Sequence, residues 1–152
     1  MTPETRLALA DLVHRYAAFV DDARFDEVVD LFTADATLSL PDPPESLDPT
    51  VCHRGSAEIR DAVAAVAVVA RTQHAIVGEV YSPRSSDEAQ GRIACIAHHW
   101  SVHDGQVTDI AWHMRYADEY VRCAGEWLFR SRALSIDAME KRPARRLRPG
   151  RT

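Results

Sequence analysis

A carboxylate stands on the apolar face of the first helical segment. Leu9, Leu12, Val13, Tyr16, Ala17 and Val20 form a stripe at helical spacing. The i+4 row Leu9, Val13, Ala17 continues by one step to Asp21. An ionised Asp facing a core is costly unless it is paired or hydrogen-bonded. His74, in the apolar run that follows Thr72-Gln73, is a candidate partner. A buried Asp–His pair beside Tyr16 would be a proton-transfer device. A neutral His74 could take or relay a proton near neutral pH. Asp21 would hold the ring, fix its tautomer and stabilise the imidazolium that forms. Tyr16 could donate to a developing enolate oxygen or to a leaving hydroxyl. Water elimination or double-bond migration needs only these three roles, so no metal or organic cofactor is expected. The competing reading of Asp21 is structural: it only starts the turn Asp21-Asp22-Ala23-Arg24.

The chain has seven histidines. His98 and His99 are neighbours in an extended segment and so point to opposite faces. His99 shares a face with Cys95 and Ala97, His98 one with Ile96 and Trp100, and alternation alone does not choose the inner face. Adjacent histidines on opposite faces cannot share a metal, and no His-x-His or Glu-x-x-His spacing supports a metal site. In the next strand Trp112, Met114 and Tyr116 share one face, extended by Ile110; each is either plain core or pocket lining. His14, His53, His103 and His113 read as surface, loop or subunit-contact residues.

These residues need elements to carry them. Thr2 before Pro3 starts the first helix, with a capping hydroxyl and Pro at the first helical position, and it runs to about Asp22. A second, short helix fits Phe25 to Phe32. Ala36–Leu40 alternates like a strand. The segment from Pro41 to Pro49 holds four of the eight prolines, which denies helix or central strand; it reads as a surface loop, a candidate flap near a pocket mouth. Ser56 reads as the N-cap of a third helix whose inner face is Ile59, Val63, Val66 and Ala67. Strands follow over residues 73–81, 89–102, 107–122 and 127–136, with Asp104-Gly105 in a hairpin turn. Helices ahead of an antiparallel meander predict an α+β domain: a cone of three N-terminal helices on a curved, mostly antiparallel sheet, with room for a small ligand.

The length of 152 residues suits a single domain. Residues 1–140 are expected to form it and residues 141–152 a basic, disordered tail. The tail holds six basic and no acidic residues; since the whole chain carries −5, the rest carries −11. Such a tail could contact an acidic partner or its own acidic body, or serve only for solubility. The body has no basic stripe interleaved with aromatics, so no nucleic-acid partner is expected. No apolar run reaches membrane-spanning length, and the first residues lack a signal-peptide pattern. Cys52, Cys95 and Cys123 are odd in number and widely spaced, as in reduced cytoplasmic thiols. A cytoplasmic location and no membrane partner are expected. Aromatics on both faces of long strands predict a homodimer or small homo-oligomer through the outer face of the sheet.

Four motifs carry a family resemblance. They are Tyr16-Ala-Ala-Phe-Val-Asp-Asp-Ala-Arg-Phe-Asp with Leu31-Phe32-Thr-Ala-Asp-Ala; Arg54-Gly-Ser-Ala-Glu-Ile-Arg; Thr72-Gln73-His74; and Arg115-Tyr116-Ala-Asp-Glu-Tyr-Val-Arg with Gly125-Glu-Trp-Leu-Phe. In order and spacing these resemble the SnoaL-like branch of the nuclear transport factor 2-like superfamily, in the group of scytalone dehydratase and bile acid 7α-dehydratase. The resemblance covers roughly residues 5–137. It implies that Asp21 and His74 are the catalytic pair, that Tyr16 is the tyrosine of the bile acid enzyme, and that His99 is the second catalytic histidine of scytalone dehydratase. It places Val20, Met114 and Tyr116 around the substrate, and Ala97 and Trp112, on the strand faces of His99 and Met114, are expected beside them. Val20 and Tyr116 stand where scytalone dehydratase has a Tyr and an Asn, so its substrate is not implied. It further implies that the tail could close the site.

The leading expectation is therefore a cofactor-independent lyase or isomerase of the dehydratase type, acting on a small apolar cyclic substrate such as a polyketide, terpenoid or steroid-like metabolite. A cyclase or epoxide hydrolase in the same pocket, or a non-catalytic small-molecule-binding or oligomerisation module, are the alternatives.

Overall fold

Thr2 sits in extended conformation, and its hydroxyl accepts a hydrogen bond from the Thr5 amide at 3.2 Å. From that cap α1 runs over Pro3–Asp21. Its stripe Leu9, Leu12, Val13, Tyr16, Ala17 and Val20 is buried throughout, each large apolar side chain worth about 1.5–3 kcal/mol against exposure. Ala23, at φ 56°, reverses the chain into a short α2, Phe25–Val29. The structure, a computed structural model, describes residues 1–149; the last three residues of the expected tail lie outside the described residues.

Six strands follow: β1 Phe32–Asp42, β2 Ser46–Arg54, β3 Arg71–Pro83, β4 Glu88–His103, β5 Gln106–Cys123 and β6 Glu126–Ala144, with α3 Gly55–Ala64 and one 3-10 turn Ala65–Val68 between β2 and β3. The sheet order is β2-β1-β6-β5-β4-β3. All neighbours are antiparallel except β1 and β6. Helices packed on a curved, mostly antiparallel sheet are the expected architecture; the sheet stays unclosed, with β2 and β3 as free edges. Among the described residues no helix is long and apolar enough to cross a membrane.

Three local expectations are corrected. The proline-rich segment is a hairpin, not a loop: β1 and β2 pair antiparallel around Pro43-Pro44. Proline survives there because β2 is an edge strand and Pro49 falls where the register shifts, so no ladder amide is missed. The third helix opens at Gly55, not after a Ser56 cap. Arg54 is the N-cap residue and its amide donates to Glu58 Oε2 at 2.8 Å. Gly55 takes φ 77°, a value that favours glycine. This helix stops at Ala64, so Ala67 is exposed rather than on an inner face. Finally, β6 does not close at Ile136. It continues to Ala144, where Lys141, Arg142, Pro143 and Ala144 pair with Ile110, Asp109, Thr108 and Val107, so the expected boundary between domain and tail falls inside a strand. Residues 137–144 show no alternation because they project beyond the core and are held by the β5 ladder alone.

Candidate active site

Asp21 is the last residue of α1, and its row along the helix points it at β3. Its carboxylate receives three hydrogen bonds from that strand. Thr72 Oγ1 donates to Oδ1 at 2.9 Å, the His74 amide donates to Oδ2 at 2.8 Å, and His74 Nδ1 lies 2.7 Å from Oδ1. The dipeptide step from Thr72 to His74 makes this possible, because alternate residues of a strand share a face. Burial works to raise the Asp21 pKa, but the His74 ring, its charge, its backbone amide and the Thr72 hydroxyl outweigh it and hold the carboxyl below its ordinary value. An ionised carboxylate only accepts, so His74 Nδ1 carries a proton, and whenever the ring is neutral the lone pair is on Nε2.

His74 is 7% exposed in its side chain and lines a cavity of about 400 Å³. Tyr16 and His99 line the same cavity, as do Val20, Trp112, Met114 and Tyr116. His99, not His98, faces inward. Its Nδ1 lies 3.1 Å from the Ile110 carbonyl oxygen, also only an acceptor, so its Nε2 too presents a lone pair. Burial is the main reason the His99 pKa is lowered, which keeps the ring neutral. The two imidazoles stand 6.2 Å apart, centroid to centroid. Burial raises the Tyr16 pKa, so its hydroxyl remains a donor at neutral pH; Arg132 opposes that rise.

Two expected site residues do not touch the cavity. Asp21 sits behind His74 and borders a smaller, more polar hollow of about 280 Å³ with Asp22, Arg71 and Thr72. Ala97 is fully buried and stands across the ladder from His74, beneath rather than beside the cavity.

The sequence reading missed part of the wall and one charged layer. The missed wall includes Leu38 of β1 and Met139 of β6, while Pro41 and Pro43, in the segment read as a candidate flap, and Val63 and Val66, read as a helix's inner face, also line the cavity. Below the rings lies Arg132, 1% exposed. Its Nε and Nη2 donate to the two oxygens of Asp118 at 2.8 and 2.7 Å, and Tyr120 donates to the same carboxylate at 2.7 Å. Nη1 is buried without a hydrogen-bond partner. The guanidinium instead lies 4.3, 4.0 and 4.2 Å from the centroids of Tyr16, Tyr116 and Phe129, where cation–π attraction compensates. Burial works against this charge, but Asp118 overrides it and keeps Arg132 protonated. The signal was present: Arg132 is in phase with inward Leu134 and Ile136, and Asp118 with inward Tyr116 and Tyr120. It is the pattern already read at Asp21.

The class these features define is a helix-covered α+β cone with an acid–base pair in an apolar chamber. Residues 2–133 match the model of the SnoaL-like domain, and the chain belongs to that family. No curated protein matches it in sequence. Solved structures match it in fold. A scytalone dehydratase candidate from Novosphingobium aromaticivorans shares 22% identity over 98% of this chain and 95% of its own, with a TM-score of 0.77. A hexachlorocyclohexane dehydrochlorinase of the LinA type shares 19% identity over 96% and 94%, at 0.77. A protein from Kribbella flavida shares 26% identity over 91% and 95%, at 0.78.

Proposed function

We propose that this chain is a cofactor-independent lyase or isomerase in which His74, oriented by Asp21, moves a proton on an apolar cyclic substrate. The observation that carries the reading is the His74 ring itself: its Nδ1 is taken by Asp21 at 2.7 Å, and its other nitrogen is left for an apolar chamber. Nε2 removes a proton from carbon beside a carbonyl. The C–H electron pair moves into an enolate, and the Tyr16 hydroxyl donates a hydrogen bond to its oxygen. The enolate then expels a β-hydroxyl, which leaves as water with the proton that His74 carries; in an isomerisation the proton returns to another carbon. Arg132 acts through Tyr16 and Tyr116 by placing a fixed positive charge under both rings. The dehydratase and dehydrochlorinase among the structural neighbours support an elimination over other proton transfers.

The test uses 3-hydroxy-1-tetralone, a bicyclic β-hydroxy ketone whose loss of water gives fluorescent 1-naphthol. Wild-type protein should accelerate this loss. Full activity in His74→Ala would end the mechanism, and no acceleration by the wild type would favour the binding module.

A further inference from the structure

The row that crosses the concave face at the catalytic level ends in a cation with no ion pair among the described residues. Thr72, His99, Ile110 and Lys141 stand opposite one another on β3, β4, β5 and β6. Thr72 holds Asp21, while His99 and Ile110 line the chamber. Lys141 comes next, two strand spacings or about 10 Å from His99 along the backbone. Met139, two residues earlier, forms chamber wall yet is 43% exposed, which marks the mouth there. Beyond it the ends of β5 and β6 form an open groove lined by Gln106, Thr108, Lys141 and Arg145, among others. Lys141 and Arg145 are exposed and make no ion pair among the described residues. Arg142 points to the other face, where it meets Asp109.

The chamber has the opposite character. Among the described residues no Lys or Arg lines it, and Arg132 is sealed beneath aromatic rings and matched by Asp118. An anionic group drawn into it would be desolvated without a partner. Residues 1–140 carry −11, so most of the surface repels anions, while cations gather on the strand that leaves the mouth.

From this we infer that the substrate is amphiphilic: an uncharged ring reacts at His74 while an attached anionic group stays outside, against Lys141 and Arg145. The inference rests on the reading of the His74 chamber as the reaction site and adds the substrate's charge and orientation.

Two fluorescent probes with the same rings test it: 1-anilinonaphthalene-8-sulfonate and its uncharged parent, N-phenyl-1-naphthylamine. The sulfonate should bind the full chain more tightly, and added salt should narrow the difference. Mutual displacement should place both probes in one chamber. Lys141→Gln combined with Arg145→Gln should weaken the sulfonate about tenfold, the product of two exposed ion pairs, and leave the neutral probe's Kd unchanged. Equal Kd values in the wild type, equal changes for both probes in the double variant, or no binding of either probe would overturn the inference. His74→Ala separates the two readings. Lost turnover of 3-hydroxy-1-tetralone without a sulfonate preference removes this inference and leaves the Asp–His mechanism. A sulfonate preference with full turnover in His74→Ala supports the anion contact and removes the mechanism.

Discussion

The sheet carries an Asp–His pair on each face, and the two are nearly identical in contact. Inside, His74 Nδ1 lies 2.7 Å from Asp21; outside, His98 Nδ1 lies 2.8 Å from Asp109. Their surroundings differ. Asp21 also receives the Thr72 hydroxyl and the His74 amide, and its histidine opens on an apolar chamber. Asp109 is shared with Arg142 at 3.4 Å, and His98 is stacked on Trp100, with ring planes 5° apart. The outer ring therefore packs flat along the sheet surface, while the inner one faces a space where a reactant can sit. A carboxylate holding an imidazole is a common structural device; the dry chamber in front of the second nitrogen is what could turn one of them to chemistry.

The largest contrast should appear in turnover. His74→Ala is expected to lower the rate of 3-hydroxy-1-tetralone dehydration by roughly 10²–10⁴-fold, the usual worth of positioned acid–base catalysis. His98→Ala should leave kcat/KM unchanged. Comparable losses in both variants would mean that the two pairs act as one unit through β4, and the distinction between them would fail.

Next in size is a stability effect at a third acid–base pair, one that is fully enclosed. Arg132→Met removes the cation and leaves Asp118 charged, buried and held only by Tyr120. Breaking such a pair from one side costs about 3–5 kcal/mol, to be read as a lower midpoint of urea unfolding. Asp118→Leu added to Arg132→Met should recover much of that loss, because no uncompensated charge remains. A double variant no better than the single one would show that the ring contacts of Arg132, rather than its charge balance, hold the layer together.

These pairs also show how far a sequence reports its own site. Asp21 was legible because it breaks an apolar helical stripe, and the Thr72–His74 step is the kind of spacing that aims two groups at one target. The inward row of β5 was legible by alternation. Alternation did not choose between His98 and His99, since a strand's two faces are equivalent until something packs on one of them; the family resemblance favoured His99. The β1–β2 hairpin escaped because proline was weighed as a strand breaker, when an edge strand with a register shift tolerates it. The far end of β6 escaped because its pairing comes from β5 and leaves no apolar periodicity of its own. Arg132 and Asp118 were in phase with the core but lie far apart in sequence. Only the β5–β6 register brings them together.

The inner pair also predicts a response to acid. Asp21 has a folded-state pKa below its ordinary value, so it contributes stability above the usual carboxyl range, and that contribution is lost as pH falls through the folded value. His99 is lowered as well, chiefly by burial; the unfolded chain therefore takes up its proton first, and stability falls as pH drops below the ordinary histidine value of about 6.5. Both act in the same direction. Thermal melts between neutral pH and about pH 4 should show His99→Gln losing less stability than the wild type, and melts continued below about pH 4 should show the same for Asp21→Asn. A steeper loss in either variant would reverse the sign assigned to that group.

The smallest expected effect sharpens the comparison most. Asp109 is 5% exposed, and its Oδ1 is buried without a hydrogen-bond partner. Asp109→Asn keeps the shape and removes the charge shared by His98 and Arg142. The amide oxygen keeps the place that faces His98 and Arg142, and the amide nitrogen takes that of the unpartnered oxygen. The loss of stability should therefore stay within about 1 kcal/mol, the size of one ordinary hydrogen bond, and kcat/KM should not move. Asp21→Asn is the same chemical change and should lower kcat, because an amide can no longer stabilise the imidazolium that forms when His74 takes its proton. Identical kinetics for the two asparagine variants would show that facing the chamber confers nothing on the inner pair.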